Sequence, residues 1–340
     1  MSTNRNLLKK FLTTTSALAV IAGGIEMAEA AAARQIIANN GNLNTGQNLN
    51  LPLAAFADHS TLAYNGAFKT ISNRANLIVE AIDVNGQVGT IFFVVQPASL
   101  GSVVDTGGVN TLAATINQGK ALTLTGTTSG GLGFAAAADT YNALGDITFV
   151  GANSTLTVAA AGPITLNGAF VNPGNGVLNV NSALTLTNVS GALINAINIG
   201  AGQSLTFDVG NNSLAPLGAG AIFVDADSTM AFKVNANGGK NVTFAAAFDP
   251  VGGANDDKGK VIFENTAASG GGHLLTVDIG GANLGNANDH RLRQISTLGT
   301  GEIKFQNGDI FAKLISIGGT EIQSLLLLTQ VLAAHLSLPQ

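Results

Sequence analysis

The sequence predicts an all-β protein built as a parallel β-helix, a β-solenoid in which short strands stack coil upon coil. Short alternating segments such as "SLTFDV" and "ALTLT" recur along the chain, and Gly, Asn, Asp or Ser bounds most of them. Their starts are commonly roughly 7 to 12 residues apart, with no segment of helical period between them. The 43 glycines supply the positive φ angles that tight corners require. A two-sheet sandwich is the alternative, but the strands are too short and too numerous for one compact sandwich.

The composition excludes several classes of protein. The chain has 340 residues, of which 46% are hydrophobic and 10% charged, whereas soluble domains average roughly 25% charged residues. This is not the signature of a disordered chain, which combines low hydrophobicity with high net charge. The net charge of −5, with no strongly basic patch, indicates no nucleic-acid partner. The absence of cysteine excludes a fold held by disulfides.

The first 30 residues predict a cleaved signal peptide. Basic residues at Arg5, Lys9 and Lys10 precede the apolar stretch 11–25, and a small-x-small site with Ala28 and Ala30 follows. We therefore expect cleavage after Ala30. The apolar stretch is interrupted and falls short of the ~18–20 residues that a membrane span requires. We expect no membrane-spanning segment after cleavage.

Residues 31–320 form the predicted β-solenoid. Leu205 and Phe207 are expected to point inward and Ser204 and Thr206 outward, because side chains alternate along a strand. Like charges on stacked strands would lie about 4.8 Å apart, which is unfavourable. Thr and Asn are therefore the expected outward residues. The similarity of 121–125 to 183–187, both "ALTLT", supports a repeating architecture.

Residues 321–340, "EIQSLLLLTQVLAAHLSLPQ", break this β pattern. The segment is expected to be a Leu-rich, helix-like tail, or the product of a shifted reading frame. Its apolar positions, Leu325–Leu328 and Leu332, are expected to cap the last coil and cover its open strand edge. The run is too short and too interrupted to span a membrane.

No motif predicts a catalytic, cofactor or metal site. The adjacent Asp58-His59-Ser60 cannot adopt the geometry of a catalytic triad. The four histidines lack the close ligand spacing of zinc sites: His59, His273, His290 and His335. The alternative to plain loops at the glycine turns within 252–257 and 280–289 is a calcium site, because carboxylate and amide oxygens there are ligands that calcium prefers. The nonapeptide pattern of calcium-binding β-rolls is not matched.

The start "MSTNRNLLKKFLTTTSALAVIAGG", the Ala- and Asn-rich entry and "GTGEIKFQNGDIF" at 299–311 resemble the rickettsial surface cell antigens, which are outer-membrane autotransporters. The resemblance is to the N-terminal passenger region of the outer-membrane protein B type. It implies a β-solenoid passenger at the cell surface that takes part in adhesion to host cells or in a surface layer. Repeated strands of about 9–11 residues with aromatic girdles would mark a membrane barrel. We expect none within these residues, so a chain without a supplied barrel would stop in the periplasm.

The sequence thus predicts an exported, non-enzymatic adhesin or surface-layer passenger fragment whose partner is a host-cell surface protein. Loops that interrupt the coil pattern, at 130–139, 252–260 and 280–293, are the expected contact sites. Two alternatives stay open: a truncated or split-gene product without independent function, and a solenoid enzyme acting on polysaccharides. Such an enzyme clusters carboxylates on one wall, whereas here Asp208, Asp225, Asp227 and Asp278 are scattered and only Asp225 and Asp227 are closely placed. The candidate contact residues are Gly252, Asp256, Asp257, Asp289, Arg291 and Arg293.

Overall fold

A computed structural model describes the chain over most of its length after residue 47. Within the described residues the chain is all-β, with 31 strands and no α-helix, and one 3-10 turn at Pro173–Asn175. The described residues are 48–51, 61–64, 66–73, 76–79, 81–126, 141–160, 162–187, 194–217, 222–244, 248–250, 258–268, 272–280, 283–285, 291–318 and 320–322.

The strands are short, and they follow one another in this order: β1 Asn48–Leu51, β2 Thr61–Ala63, β3 Thr70–Asn73, β4 Leu77–Val79, β5 Ala81–Asp83, β6 Thr90–Val94, β7 Ala98–Leu100, β8 Val103–Val104, β9 Leu112–Ile116, β10 Ala121–Leu124, β11 Leu144–Phe149, β12 Ser154–Val158, β13 Ile164–Leu166, β14 Phe170–Val171, β15 Gly176–Val180, β16 Leu184–Leu186, β17 Ala196–Ile199, β18 Ser204–Gly210, β19 Leu214–Leu217, β20 Ile222–Val224, β21 Thr229–Val234, β22 Lys240–Phe244, β23 Phe248–Pro250, β24 Lys258–Asn265, β25 Leu275–Asp278, β26 Asn283–Leu284, β27 Leu292–Gly299, β28 Ile303–Gln306, β29 Asp309–Ile310, β30 Ala312–Ile317 and β31 Thr320–Ile322.

These strands form five sheets with ten, eight, six, four and three strands. Apart from β30 and β31, strands that follow one another in the chain lie in different sheets. Neighbours within a sheet are otherwise two or three strands apart in the chain, as in the order β20-β17-β15-β12 of the ten-stranded sheet. Every described strand pair is parallel except β30 with β31, which is antiparallel. Parallel sheets with this strand order are consistent with a β-helix.

The chain returns to the ten-stranded sheet at intervals, and we call each passage between two returns a layer. β12, β15, β17 and β20 begin at residues 154, 176, 196 and 222. Between these strands the later layers cross the eight-stranded and then the four-stranded sheet. Strands in consecutive layers therefore pair side by side, and equivalent residues form columns perpendicular to the strands.

The core lies inside these layers. The expected alternation is confirmed at β18, where Leu205 and Phe207 are fully buried and Ser204 and Thr206 are half-buried. Phe207, Phe232 and Phe263 occupy one register column, and their ring centroids are 5.4 and 5.2 Å apart in stacked geometry. Aromatic pairs at such distances stabilise beyond their burial. Stacked phenylalanine rings thus connect the interiors of consecutive layers in this part of the chain.

Two sequence expectations need correction. "LIVEAIDV" is not one strand but two, β4 and β5, which belong to the ten-stranded and three-stranded sheets. The two "ALTLT" segments are not equivalent positions of a repeat, because β10 lies in the ten-stranded sheet and β16 in the eight-stranded sheet. A short Leu-Thr alternation fits any wall that is half-buried, so it does not identify which wall.

Both ends of the predicted organisation lie largely beyond the described residues. The predicted cleavage site at Ala28 and Ala30 is outside them, as is nearly all of the predicted tail. Glu321 and Ile322, which the sequence assigns to that tail, are part of strand β31. In the part of the chain that the structure describes, no helix has the length and apolarity needed to cross a bilayer.

Candidate contact surface

Charged side chains from three layers meet where the chain enters the eight-stranded sheet. We call this surface the charged corner and define it by Asp225, Asp227, Lys258, Arg291 and Arg293. The two aspartates precede β21, Lys258 begins β24, and the arginines flank the start of β27. β21, β24 and β27 are successive neighbours in the sheet. Residues 66 positions apart in the chain are therefore adjacent in space.

A tight turn positions the two carboxylates. The backbone N–H and the side-chain hydroxyl of Ser228 both donate to the carbonyl oxygen of Asp225, at 3.1 and 2.7 Å. Asp227 has a φ of 54° within this turn, a left-handed conformation in which Asp is among the tolerated residues. The turn is also bonded to the preceding layer, because the N–H of Gly202 donates to the Ala226 carbonyl at 2.8 Å. The stack thus fixes where both carboxylates emerge.

Ion pairs link the layers across the corner. Lys258 Nζ lies 3.6 Å from Asp225 Oδ1, and Arg293 Nη1 pairs with Asp227 Oδ1. The Arg293 and Asp227 side chains are 49% and 65% exposed. Solvent-exposed pairs of this kind contribute only about 0–1 kcal/mol to stability. The corner is therefore a charged surface available to solvent rather than a feature on which the fold depends.

The described C-terminal ends of two of the three predicted contact loops, residues 258–260 and 291–293, lie at this corner. The chain between β23 and β24, and the chain between β26 and β27, each join the ten-stranded to the eight-stranded sheet in consecutive layers. Residues 258–260 and 292–293 of the predicted loops are strand residues, as are 283–284. Arg291 and Arg293 are exposed at the corner. The remaining candidates lie outside the described residues: Gly252, Asp256, Asp257 and Asp289.

The third predicted loop does not join them. Residues 130–139 lie outside the described residues, between β10 of the ten-stranded sheet and β11 of the six-stranded sheet. Its attachment points are therefore on a different connection of the stack. Among the described residues, the structure brings together only the attachment points of the two later loops.

The carboxylates named for a polysaccharide-active enzyme all have partners. Asp225 and Asp227 pair with the corner cations, and Asp208 pairs with Lys233 at 2.9 Å. Asp278 accepts hydrogen bonds from Gln306 and Asn307 at 3.2 and 3.1 Å. Burial acts to raise the pKa of Asp278, but these bonds and the N–H of Gly280 outweigh it and lower the pKa. A general acid of a glycosidase requires the opposite shift.

Metal ligands are not gathered anywhere among the described residues, where no group of three or more His, Cys, Asp or Glu side chains comes together. His273 is the described histidine, and its buried Nδ1 has no hydrogen-bond partner. The other three histidines lie outside the described residues, as do 252–257 and 286–289 of the calcium alternative.

The outward face of the ten-stranded sheet carries a column of amides and hydroxyls. Asn198 Nδ2 donates to Asn179 Oδ1 at 2.7 Å, and Asn179 Nδ2 donates to Thr157 Oγ1 at 3.4 Å. These residues are in register on β12, β15 and β17. Polar side chains that satisfy one another across layers make this wall soluble with few charges, as the sequence predicts.

Sequence reasoning missed the partners of Arg293 at the corner. Nothing local marks Asp227 and Lys258 as neighbours of the arginines, since 66 residues separate Asp227 from Arg293. Only the register of three layers places them together. Their charge pattern along the chain could have indicated the corner only if the layer lengths had been known.

Two known proteins are similar to this chain. Over 203 residues it is 31% identical to outer membrane protein A of Rickettsia rickettsii, a match that covers 57% of this chain. Over 280 residues it is 30% identical to outer membrane protein B of Rickettsia japonica, which covers 72% of this chain. The chain resembles rickettsial outer membrane proteins. The resemblance predicted from the sequence is thereby confirmed.

The matched segments are small parts of these rickettsial outer membrane proteins. The match spans 9% of outer membrane protein A and 15% of outer membrane protein B. No protein-family model matches the chain. No solved structure matches it either.

Proposed function

We propose that the chain is an exported, non-enzymatic surface protein that acts as an adhesin or as an element of a surface layer. In this proposal, the signal peptide is cleaved after Ala30 and the remaining chain folds as a parallel β-helix. It is displayed at the cell surface or outer membrane. The observation that carries the proposal is the similarity to two outer membrane proteins of rickettsiae, over 57% and 72% of the chain.

The proposed contact surface is the charged corner, and the expected partner is a host-cell surface protein. Its support is that two interruptions of the layer pattern attach there in consecutive layers, beside exposed side chains of both signs. Loops on a rigid scaffold are where binding residues concentrate. Stacked layers offer an extended surface with many shallow contacts rather than one deep pocket.

Binding by a folded chain tests the proposal. Residues 31–340 are expected to give a β-type circular dichroism spectrum and saturable binding to host cells. Replacing 251–257 and 286–290 by Gly-Ser linkers is expected to abolish binding. The matched control replaces 127–140, which attaches elsewhere, and is expected to leave binding intact. If both variants bind equally, the corner is not the contact surface.

A charge variant tests the corner without altering loop length. Arg291→Ser with Arg293→Ser is expected to weaken binding, whereas Lys304→Ser with Lys313→Ser removes two other exposed cations and is expected to leave it unchanged. A folded chain that shows no saturable binding would reject the adhesin role. Assembly of that chain into ordered sheets would then favour the surface-layer role, and aggregation without order would favour the split-gene alternative.

A further inference from the structure

The last described layer is the least buried part of the stack, although its inward residues are apolar. In the four-stranded sheet, Leu275 and Val277 of β25 are fully buried. Their register partners in β28, Ile303 and Phe305, are only half-buried. The interior column thus runs from fully buried residues to partly exposed ones within a single layer.

The other two walls show the same change. In the ten-stranded sheet, buried Leu284 pairs with half-buried Ile310. In the eight-stranded sheet, Ile295 is 1% exposed, whereas its partner Ile315 is half-buried. Three independent walls therefore present uncovered apolar side chains at one end. We call this surface the open end.

The strand edge of the eight-stranded sheet is closed at the same place. Beyond Gly318, whose φ is 56°, the chain turns back, and β31 pairs antiparallel with β30. A further parallel layer cannot pair with β30 at Ile315–Ile317, because β31 already occupies that edge. The chain thus interrupts the stacking pattern in the layer whose apolar interior is partly exposed.

The chain continues from this point into residues 323–340, "QSLLLLTQVLAAHLSLPQ". This segment holds seven leucines and one valine and has no Asp, Glu, Lys or Arg. Exposure of so many leucines to water is unfavourable, at about 25 cal/mol per Å² of apolar surface. We propose that residues 323–340 fold over the open end and bury the inward residues of the last layer, as an in-chain cap.

The length of the segment suffices for this role. As a helix, 18 residues extend about 27 Å, whereas a wall of four to six strand residues spans about 13–20 Å. The segment starts directly after β31, at the edge it would cover. Terminal caps of this kind are generally needed to keep stacked repeats soluble.

Removal of the cap tests the proposal. We compare residues 31–340 with a chain ended at Ile322, and with a variant in which Leu325–Leu328 are all changed to Ser. Thr329→Ser with Gln330→Asn is the matched control within the same segment. Both cap variants are expected to speed amide exchange in 303–317 by more than about tenfold, with 204–210 unchanged. Unchanged exchange in 303–317 would overturn the proposal.

Cross-linking within the full-length chain tests the proposal without removing the segment, so the result does not depend on how stable the cap variants are. Since the chain has no cysteine, Ile303→Cys with Leu327→Cys provides a single reactive pair. A short bifunctional maleimide is expected to join them within one chain. Ile315→Cys with Ile322→Cys, which are register partners, is the positive control. Linkage of the control pair but not of the test pair would reject the cap.

Two other occupants of the open end give different results. If a second copy covers it, protection of 303–317 in the unaltered chain rises with protein concentration, and cross-links form between chains. If a lipid surface covers it, protection appears only with phospholipid vesicles. Either result overturns the in-chain cap, whereas concentration-independent protection without vesicles supports it.

Discussion

Lys233 Nζ lies 2.9 Å from Asp208 Oδ2 in the preceding layer, and Lys233 is also in register with Glu264 in the next layer. The column thus carries charges of alternating sign on consecutive strands. The hydrogen bond and the charge of Asp208, with a smaller effect of Glu264, raise the pKa of Lys233. The sequence argument that Thr and Asn replace charges on outward columns is therefore incomplete, because opposite charges are accepted where they alternate.

Lys233→Glu is expected to lower the free energy of unfolding by about 1 kcal/mol, because it places three carboxylates on adjacent strands. Lys233→Gln, which removes the charge alone, is expected to cost less. Urea unfolding at low and high salt measures both. The loss should shrink at high salt, since screening weakens exposed charge interactions. A salt-independent loss would point to packing instead.

Asn265→Leu is expected to lower the free energy of unfolding by about 3 kcal/mol or more, because it leaves buried donors and acceptors unpaired. Asn265 is fully buried. Its Nδ2 donates to the carbonyls of His273 and Glu302 at 2.8 and 2.9 Å, and its Oδ1 accepts from two backbone N–H groups at 3.2 Å. Urea unfolding measures the loss.

The control for this prediction is Asn237→Ala, because Asn237 is exposed in a turn. It is expected to change the free energy of unfolding by less than about 0.5 kcal/mol. If the two asparagine variants lost equal amounts of unfolding free energy, the hydrogen bonds of Asn265 would contribute no more to stability than an exposed asparagine does.

Gly168→Ala is expected to destabilise the protein by about 2 kcal/mol through overpacking. A Cβ at Gly168 would overlap the carbonyl oxygen of Gly145 in the adjacent layer. Gly162→Ala is the matched control, because a Cβ there meets nothing within 4 Å. Thermal unfolding of the two variants isolates the steric effect of layer stacking. Similar melting temperatures for the Gly168→Ala and Gly162→Ala variants would show that the backbone at Gly145 shifts to accept the added methyl group at little energetic cost.

Ionisation of Asp105 is expected to make the free energy of unfolding decrease as the pH is lowered. Burial acts to raise its pKa, but backbone N–H groups of Asn110, Gly86, Gly107 and Gly108 more than offset this and lower the pKa below its ordinary value of 3.8. A carboxyl with a lowered folded-state pKa contributes stability above its unfolded pKa. That contribution is lost as the pH falls through the folded-state pKa.

The measurement is the free energy of unfolding from pH 7 to pH 2.5, for the unaltered chain and for Asp105→Asn. The variant is expected to be less stable at pH 7, and the difference should narrow below about pH 4. Parallel curves for the two proteins would exclude a contribution from ionisation of Asp105.

The sequence by itself determined that the chain is all-β, where most strands lie and which residues of β18 point inward. These properties depend on the period-two alternation and on Gly and Asn at corners, both of which are local. It also determined the resemblance to rickettsial outer membrane proteins. Each of these conclusions depends only on local sequence patterns and on sequence similarity.

Only the tertiary structure decided which strands stack on which. β12, β15, β17 and β20 begin 22, 20 and 26 residues apart, so no constant repeat length reveals the register. Register in turn decides that Asp208 pairs with Lys233, that Asp227 meets Arg293, and that Gly145 faces Gly168. A parallel pair can adopt any even shift without exposing its apolar face, and the side chains of neighbouring layers select one of these shifts by packing and charge.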